Sequence, residues 1–296
     1  MKKKLLIILS CLLALTLSAC SVNINTGDGQ SAGTSAPDAS GSAAPTETEE
    51  VVEQDAFTNA QGAVIAPNAK GIRVSRALRI YEEAAQRIKT EAIGFSRTHW
   101  QDFNDINAID STGIADFVLT IVSKNTVPNN SAQEAAQNPQ TFASGDAASI
   151  RENFPLFGFD SVYVESENND YIAGAEYIET DNYREYYIYF RDALNPKTGT
   201  AGFGGLMTPF DREEVLDGIR NYGILVDESS LKLDCTYSGC YMMFRIDNDD
   251  NLIYLEQNLY ATIDAKAEID LVVQSTNFMN GTCRYEEHYT YSQFTY

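Results

Sequence analysis

The chain has 296 residues, with 21 Lys and Arg against 42 Asp and Glu, a formal net charge of −21 and an isoelectric point near 4.3. That balance argues against a basic face for nucleic acid or anionic lipid. It reads as a solvated, self-repelling surface rather than as a dedicated cation site.

The N-terminus opens Met1-Lys-Lys-Lys-Leu-Leu-Ile-Ile-Leu-Ser, stays apolar through Leu17, and then reads Leu17-Ser18-Ala19-Cys20. Three lysines, a short apolar run and small residues ahead of a cysteine form an export signal over residues 1–19. The run from Leu5 to Leu17 falls short of the ~20 residues that span a bilayer, so it reads as a removed signal and not a permanent anchor. Leu-Ser-Ala-Cys resembles the lipobox of bacterial lipoproteins. The resemblance implies that Cys20 carries a diacylglyceryl thioether, becomes the first mature residue, and holds the protein at the outer face of the cytoplasmic membrane. Cys11 leaves with the signal. Removing Lys2, Lys3 and Lys4 takes the 21 basic residues to 18 against an unchanged 42 acidic, or −24.

Residues 20–70 are dominated by Ser, Ala, Gly, Thr, Asn, Pro and acidic residues, as in Ser31-Ala-Gly-Thr-Ser-Ala-Pro-Asp-Ala-Ser-Gly-Ser-Ala-Ala-Pro45. Such a composition buries too little apolar surface to offset ordering entropy, so a disordered tether is expected. Its root-mean-square reach is roughly 40 Å. The folded part is expected over 71–296, where most of the 14 Phe and 17 Tyr fall.

Within it, Val74, Ala77, Leu78, Tyr81, Ala84, Ala85 and Ile88 recur at helical spacing. They predict an amphipathic helix from about Ser75 to Lys89, with Glu83 and Arg87 one turn apart. Ile114, Phe117, Val118, Ile121 and Val122 suggest a second helix, and 125–145 reads as a long polar surface loop. Tyr171–Thr180 and Tyr183–Asp192, around Asp181-Asn182, read as a tyrosine-rich hairpin. A third helix is expected from Asp211, with Asp211-Arg-Glu-Glu214 as its N-terminal signal. Apolar residues then occupy the odd positions from Ile253 to Val273, interrupted only by Gln257, so one face of that strand should be buried. Asn280-Gly281 has the form of a two-residue hairpin turn, with Thr282–Phe294 returning. The expected class is α+β: a curved antiparallel meander with two to three helices on one face.

Tyr81-Glu-Glu-Ala-Ala-Gln-Arg-Ile-Lys89, followed by a strand and a helix and later by Tyr186-Tyr-Ile-Tyr-Phe-Arg-Asp-Ala-Leu-Asn-Pro196, resembles a group of uncharacterised clostridial (Firmicute) surface lipoproteins in motif order. That resemblance implies a surface address and brings no catalytic residues. More loosely, helices on a curved antiparallel sheet beneath a lipid anchor resemble the half-barrel lipid-carrier lipoproteins of mycobacteria and of the Gram-negative periplasm.

Several clusters carry candidate chemistry. Asp247-Asn-Asp-Asp-Asn251 alternates oxygen donors as a calcium loop does. Counted from Asp247, an EF-hand loop needs Gly sixth and Glu twelfth, where this chain has Leu252 and Asn258, so a hairpin turn is the better reading. Gly202-Phe-Gly-Gly205 lacks the spacing of a phosphate cradle and reads as a mobile loop. The only histidines are His99 and His288, and neither belongs to a nucleophile motif. The adjacent Glu286-Glu287 reads as a solvated strand edge. Cys235, Cys240, Cys283 and His288 could be written as a zinc set, but five residues separate Cys283 from His288, which puts them on opposite faces of a regular strand. If Thr236–Gly239 form a turn, Cys235 and Cys240 stand opposite one another within reach of a disulfide, with Cys283 left over.

The sequence therefore points to no catalytic residue, no metal and no cofactor. It suggests a membrane-anchored, non-enzymatic binding module for a small hydrophobic molecule or lipid. A protein or envelope interaction module, and an enzyme acting on envelope polymers, are the alternatives.

Overall fold

The computed structural model describes residues 51–52, 55–58, 63–108, 129, 131–156, 169–200, 202–213, 216–217, 231–271 and 274–296. In chain order the elements are β1 (Val51–Val52), β2 (Lys70–Ile72), α1 (Val74–Thr90), β3 (Gly94–Ala108), α2 (Ala132–Gln137), β4 (Gln140–Phe142), α3 (Ala147–Asn153), β5 (Ile172–Glu179), β6 (Tyr183–Phe190), β7 (Ala193–Leu194), α4 (Phe203–Leu206), β8 (Lys232–Tyr237), β9 (Tyr241–Asp247), β10 (Leu252–Leu271) and β11 (Gln274–Thr295). The eleven strands form one curved antiparallel sheet in the order β1-β2-β5-β6-β9-β10-β11-β3-β4, with β8 and β7 branching from β10. The class is α+β, as the patterning implies.

The apolar stripe of α1 buries Leu78, Tyr81, Ala85 and Ile88 completely against the sheet. Register carries a row of large side chains across the same sheet face, Tyr177–Tyr186–Phe244–Leu255–Tyr291. Tyr186 stacks on Phe244 at 5.1 Å, and Tyr81 of α1 meets Phe244 at 5.3 Å. Ile150 of α3 and Phe203 and Leu206 of α4 join the same cluster. This is the core face. Fully burying such side chains stabilises by about 1.5–3 kcal/mol each before entropy is counted. Gln257, the polar interruption of the odd-position stripe, is completely buried there. Its amide donates to the Leu206 carbonyl at 2.8 Å and its oxygen accepts from Thr208 at 2.9 Å. A buried amide is tolerated because both its ends are used.

Several expectations are corrected. Part of the stretch assigned to the tether is built into the sheet: Val51 and Val52 pair with Ile72 and Gly71, and Phe57 stacks on Tyr189 at 3.9 Å. A short β-branched pair and one phenylalanine supply strand pairing and a ring contact that the flanking composition conceals. Asn280-Gly281 is not the turn of the C-terminal hairpin. Those residues sit inside β11 opposite Lys266 and Ala265, and the pairing runs on to Leu271 and Gln274. The 125–145 region carries a short helix capped by Ser131 and a strand that pairs with β3. The Gly202–Gly205 run caps and opens the buried helix α4, with Gly202 as its N-cap. A Cβ on Gly204 would fall 1.7 Å from the Lys197 carbonyl oxygen, so glycine serves close backbone approach there and not mobility. Arg87 reaches Glu91 at 3.2 Å and Asn251 at 2.7 Å rather than Glu83.

The tyrosine-rich hairpin forms as expected. Arg212, Glu213, Leu216 and Asp217 are helical, with the Asp211 carboxylate accepting from the Glu213 amide. The expected helix around Ile114–Val122 lies outside the described residues.

Candidate functional site

The two histidines and the Glu286-Glu287 pair meet on one ladder. β11 is flanked by β10 on one side and β3 on the other, so Glu286-Glu287 lies in mid-sheet and not at a solvated edge. Glu287 stands opposite Gln101, His288 opposite Trp100 and Tyr289 opposite His99. Strand alternation then sends Glu287, Tyr289 and His99 to the core face, and Glu286, His288 and Trp100 to the other.

On the core face, Glu287 Oε1 lies 2.8 Å from His99 Nε2 and accepts from the Tyr289 hydroxyl at 2.7 Å. The His99 ring stacks on Tyr289 at 3.8 Å, and Asn129 donates to the His99 carbonyl at 3.0 Å. The Glu287 side chain is 4% exposed and that of His99 21%. With Nε2 against a carboxylate, the proton of the neutral ring belongs on Nε2, leaving Nδ1 as the acceptor. The arrangement partners one oxygen of a carboxylate inside an aromatic core, while Oε2 is buried without a hydrogen-bond partner among the described residues.

The opposite face is tiled with aromatic rings, most of them tyrosines. One rung reads Glu185–Arg245–Tyr254, the next Glu176–Tyr187–Met243–Glu256, and a third Tyr189–Tyr241–Asn258–His288–Trp100. Trp100 stacks on His288 at 4.1 Å, and Tyr260 meets His288 edge-on at 5.6 Å. His288 Nδ1 is 2.7 Å from the Asn258 side-chain oxygen. Burial pulls the His288 pKa down to about 4, with His99 adding to the effect, so the ring is neutral at physiological pH. The phenols are pinned to carboxylates: Tyr187 donates to Glu185 at 2.6 Å, Tyr189 to Glu176 at 2.6 Å and Tyr254 to Glu256 at 3.0 Å. Burial and those carboxylates raise all three phenol pKa values, so all three rings stay neutral. The face thus sets the half-buried rings of Tyr187, Tyr241, Tyr254 and Trp100 among carboxylates, with Tyr189, Met243, Glu176 and Glu185 buried beside them.

The cysteines do not take the arrangement expected of them. β8 and β9 do not pair with each other. Both lie along β10, with Tyr237 opposite Ala261 and Tyr241 opposite Asn258. Gly239, at φ +70, makes the bulge between them, and Cys240 Sγ receives the Tyr260 amide at 3.3 Å. Cys235 and Cys240 therefore follow one another along one edge of β10 rather than facing across a hairpin, and all three cysteines are free and buried. Cys235 and Cys283 flank Ile263 from its two sides. Two strand spacings of about 4.8 Å separate them, beyond disulfide reach. Cys283 is buried on the core face while His288 faces the tyrosines, so the zinc set is divided by the sheet. Among the described residues no group of three or more His, Cys, Asp or Glu converges as a metal site. Asp247–Asn251 forms the turn between β9 and β10, where Asp247 Oδ1 accepts from the Asp249 and Asn251 amides at 2.9 and 2.8 Å. Cys20 lies outside the described residues, and no described helix is long and apolar enough to cross a membrane.

Comparison with known proteins gave no identification: no family model matches the chain, and neither a curated protein nor a solved structure does. The functional reading rests on the site alone. The tyrosine face was within reach of the sequence, since Tyr183, Glu185, Tyr187 and Tyr189 alternate with the core residues of β6. It was missed because tyrosine is as much at home in a core as on a binding face.

Proposed function

We propose that the protein is a non-enzymatic binding module, tethered by a lipid on Cys20 to the outer face of the cytoplasmic membrane, that takes a small-molecule ligand on its tyrosine face. The observation that carries this reading is the tiling of Tyr187, Tyr189, Tyr241 and Tyr254 around Met243 on the sheet face away from the core, with Glu176, Glu185 and Glu256 among them and Trp100 three strands further along the same face. Rings give affinity through area, and carboxylates give orientation. Glu176 and Glu185 are already buried and hydrogen-bonded, but the half-buried Glu256 favours a polar or charged ligand over an acyl chain, which would desolvate it further.

Trp100 is the only tryptophan in the chain and lies on this face, three strands along from Tyr241, which makes its emission a second readout to set beside the mass measurement. Native mass spectrometry of the purified protein should reveal a retained small molecule that is lost, together with its effect on Trp100 emission, in Tyr241→Ala and Tyr254→Ala. A retained ligand indifferent to both substitutions would place the site elsewhere. For the anchor, Cys20→Ala should appear in the medium or as uncleaved precursor. Membrane retention of a processed Cys20→Ala protein would refute it.

A further inference from the structure

We infer that the ligand of the tyrosine face is a free organic cation, an ammonium or guanidinium of metabolite size, held over Tyr187 and Tyr241 beside Glu256. This rests on the reading of that face as the ligand site and adds its chemical class.

The face already holds one such cation of its own. The Arg245 guanidinium lies 5.1 Å from the centre of the Tyr183 ring and 4.9 Å from that of Tyr254, and its Nε donates to Glu185 at 2.6 Å. Two ring faces and one carboxylate are the components of a cation–π site. The next two rungs repeat those components without the cation. Tyr187, Tyr189 and Tyr241 sit there with ring centres 6.4 and 6.3 Å apart, with Glu176 and Glu256 on the same rungs. No Lys or Arg occurs on either rung from Gly174 across to Trp100.

Geometry favours the ring faces as the contact. Tyr187 and Tyr254 each turn their hydroxyl sideways into a carboxylate, at 2.6 and 3.0 Å, so the π surface rather than the hydroxyl is what remains to offer. Phe57 covers one side of Tyr189 at 3.9 Å and 12°, which leaves Tyr189 as the end wall and Tyr187 and Tyr241 as the contact rings. Met243, between them on β9, supplies a soft, polarisable floor.

An inorganic cation fits less well. It would need several converging oxygens, and here Glu256 is engaged by both the Tyr254 hydroxyl and the Asn258 amide, at 3.0 and 2.8 Å. A weakly hydrated organic cation gains from rings and needs only a nearby negative charge.

The test titrates the full mature chain, in non-ionic detergent, with choline and separately with its uncharged isostere, in which a quaternary carbon replaces the nitrogen. Isothermal calorimetry should give choline a Kd of about 1 mM and the isostere an affinity roughly tenfold weaker. Tyr241→Leu and Glu256→Gln should each weaken choline by about threefold to tenfold, while Tyr241→Phe, which keeps the ring, should bind as the wild type does. Near-ultraviolet circular dichroism checks that each variant is folded, and Glu256→Gln carries the test if Tyr241→Leu is not. The inference is overturned if choline does not bind, if the isostere binds equally well, or if N-acetylglucosamine binds where choline does not. A retained ligand that depends on the tyrosines but is uncharged would overturn the cation class while leaving the face as the ligand site. Loss of both results would overturn both.

Discussion

Glu287 Oε1 lies 2.8 Å from His99 Nε2 on the core face, while the preceding residue, Glu286, turns to the opposite face beside His288. Two adjacent carboxylates thus serve two environments. The inner one is the more consequential for folding, because its side chain is 4% exposed and receives the Tyr289 hydroxyl as well. Glu287→Ala should destabilise by about 3 kcal/mol, since it leaves a buried phenol and a half-buried imidazole without their acceptor. Glu287→Gln keeps one oxygen in place and should cost about 1 kcal/mol. Urea unfolding of both variants checks the order. Equal costs would mean that the carboxylate's hydrogen bonds contribute nothing.

The glycines separate two kinds of backbone demand. Gly204 has the Lys197 carbonyl oxygen 1.7 Å from where a Cβ would stand, whereas nothing lies within 4 Å of the Cβ position on Gly239, whose φ is +70. Gly204→Ala should therefore displace α4 and cost more than about 3 kcal/mol. Gly239→Ala meets only the left-handed backbone penalty, about 1 kcal/mol. Gly239→Asn should recover part of that loss, because asparagine tolerates this conformation. Comparison of the denaturation midpoints decides, and a Gly204→Ala protein as stable as Gly239→Ala would contradict the packing.

These glycines mark where the sequence was legible and where it was not. Periodicity alone located α1 and the β5–β6 hairpin, and it gave the buried face of β10 correctly from Leu255 to Ile263. Each of these is a local pattern of alternating or helically spaced apolar residues, although in the β5–β6 hairpin Glu176, Glu185 and Tyr189 on the other face are buried as well. The turns were less legible. Asn280-Gly281 and Thr236–Gly239 have turn-forming residues, yet one sits inside β11 and the other makes a bulge against β10. A glycine that permits positive φ serves a bulge as well as a turn, and only the length of the partner strand decides between them. The site was legible in its parts but not in its assembly. His99 and Glu287 are 188 residues apart, so no spacing rule joins them.

His288 supplies a pH dependence of defined sign. Its folded pKa, near 4, lies below the ordinary 6.5 because burial disfavours the charged ring. The unfolded chain therefore takes up the proton first as pH falls. The stabilising contribution is fully present above 6.5, is lost progressively as pH falls towards 4, and is worth up to about 3 kcal/mol. Thermal unfolding at pH 7 and pH 5 should show a loss in the wild type and a smaller one in His288→Gln. The groups around the ring are Glu286, with Oε2 3.8 Å from Nε2, together with Asn258, Trp100 and Tyr260. An identical pH response in wild type and variant would mean that His288 is protonated in the folded state.

Burial pushes the thiols of Cys235 and Cys240 up to about 12 and that of Cys283 up to about 11. A thiol becomes a nucleophile only as thiolate, so all three should resist iodoacetamide in the native protein at pH 8 and react once it unfolds. Peptide mapping under oxidising conditions should find no link between Cys235 and Cys240, because they follow one another along β10. A native link between them would place a turn where the structure has a bulge.

Phe57 stacks on Tyr189 at 3.9 Å with the rings 12° apart, the clearest ring contact between the N-terminal segment and the sheet. The segment is placed locally by the Thr58–Val64 bridge and by the Ile65 amide donating to the Phe57 carbonyl at 3.0 Å, and Val51 and Val52 add two rungs beside β2. Two rungs make a weak edge, so the ring contact should hold much of the attachment. An aromatic pair contributes about 0.5–1.5 kcal/mol beyond its buried area. Phe57→Ala should thus raise the rate at which a protease trims the chain back towards Gly71, with little change in the global unfolding midpoint. It should also bare one side of the Tyr189 ring and tighten any ligand that stacks there. Limited proteolysis with mass detection reads the first effect, and the same ligand titration in the variant reads the second. Unchanged trimming would mean that β1 and the bridge hold the segment without the ring.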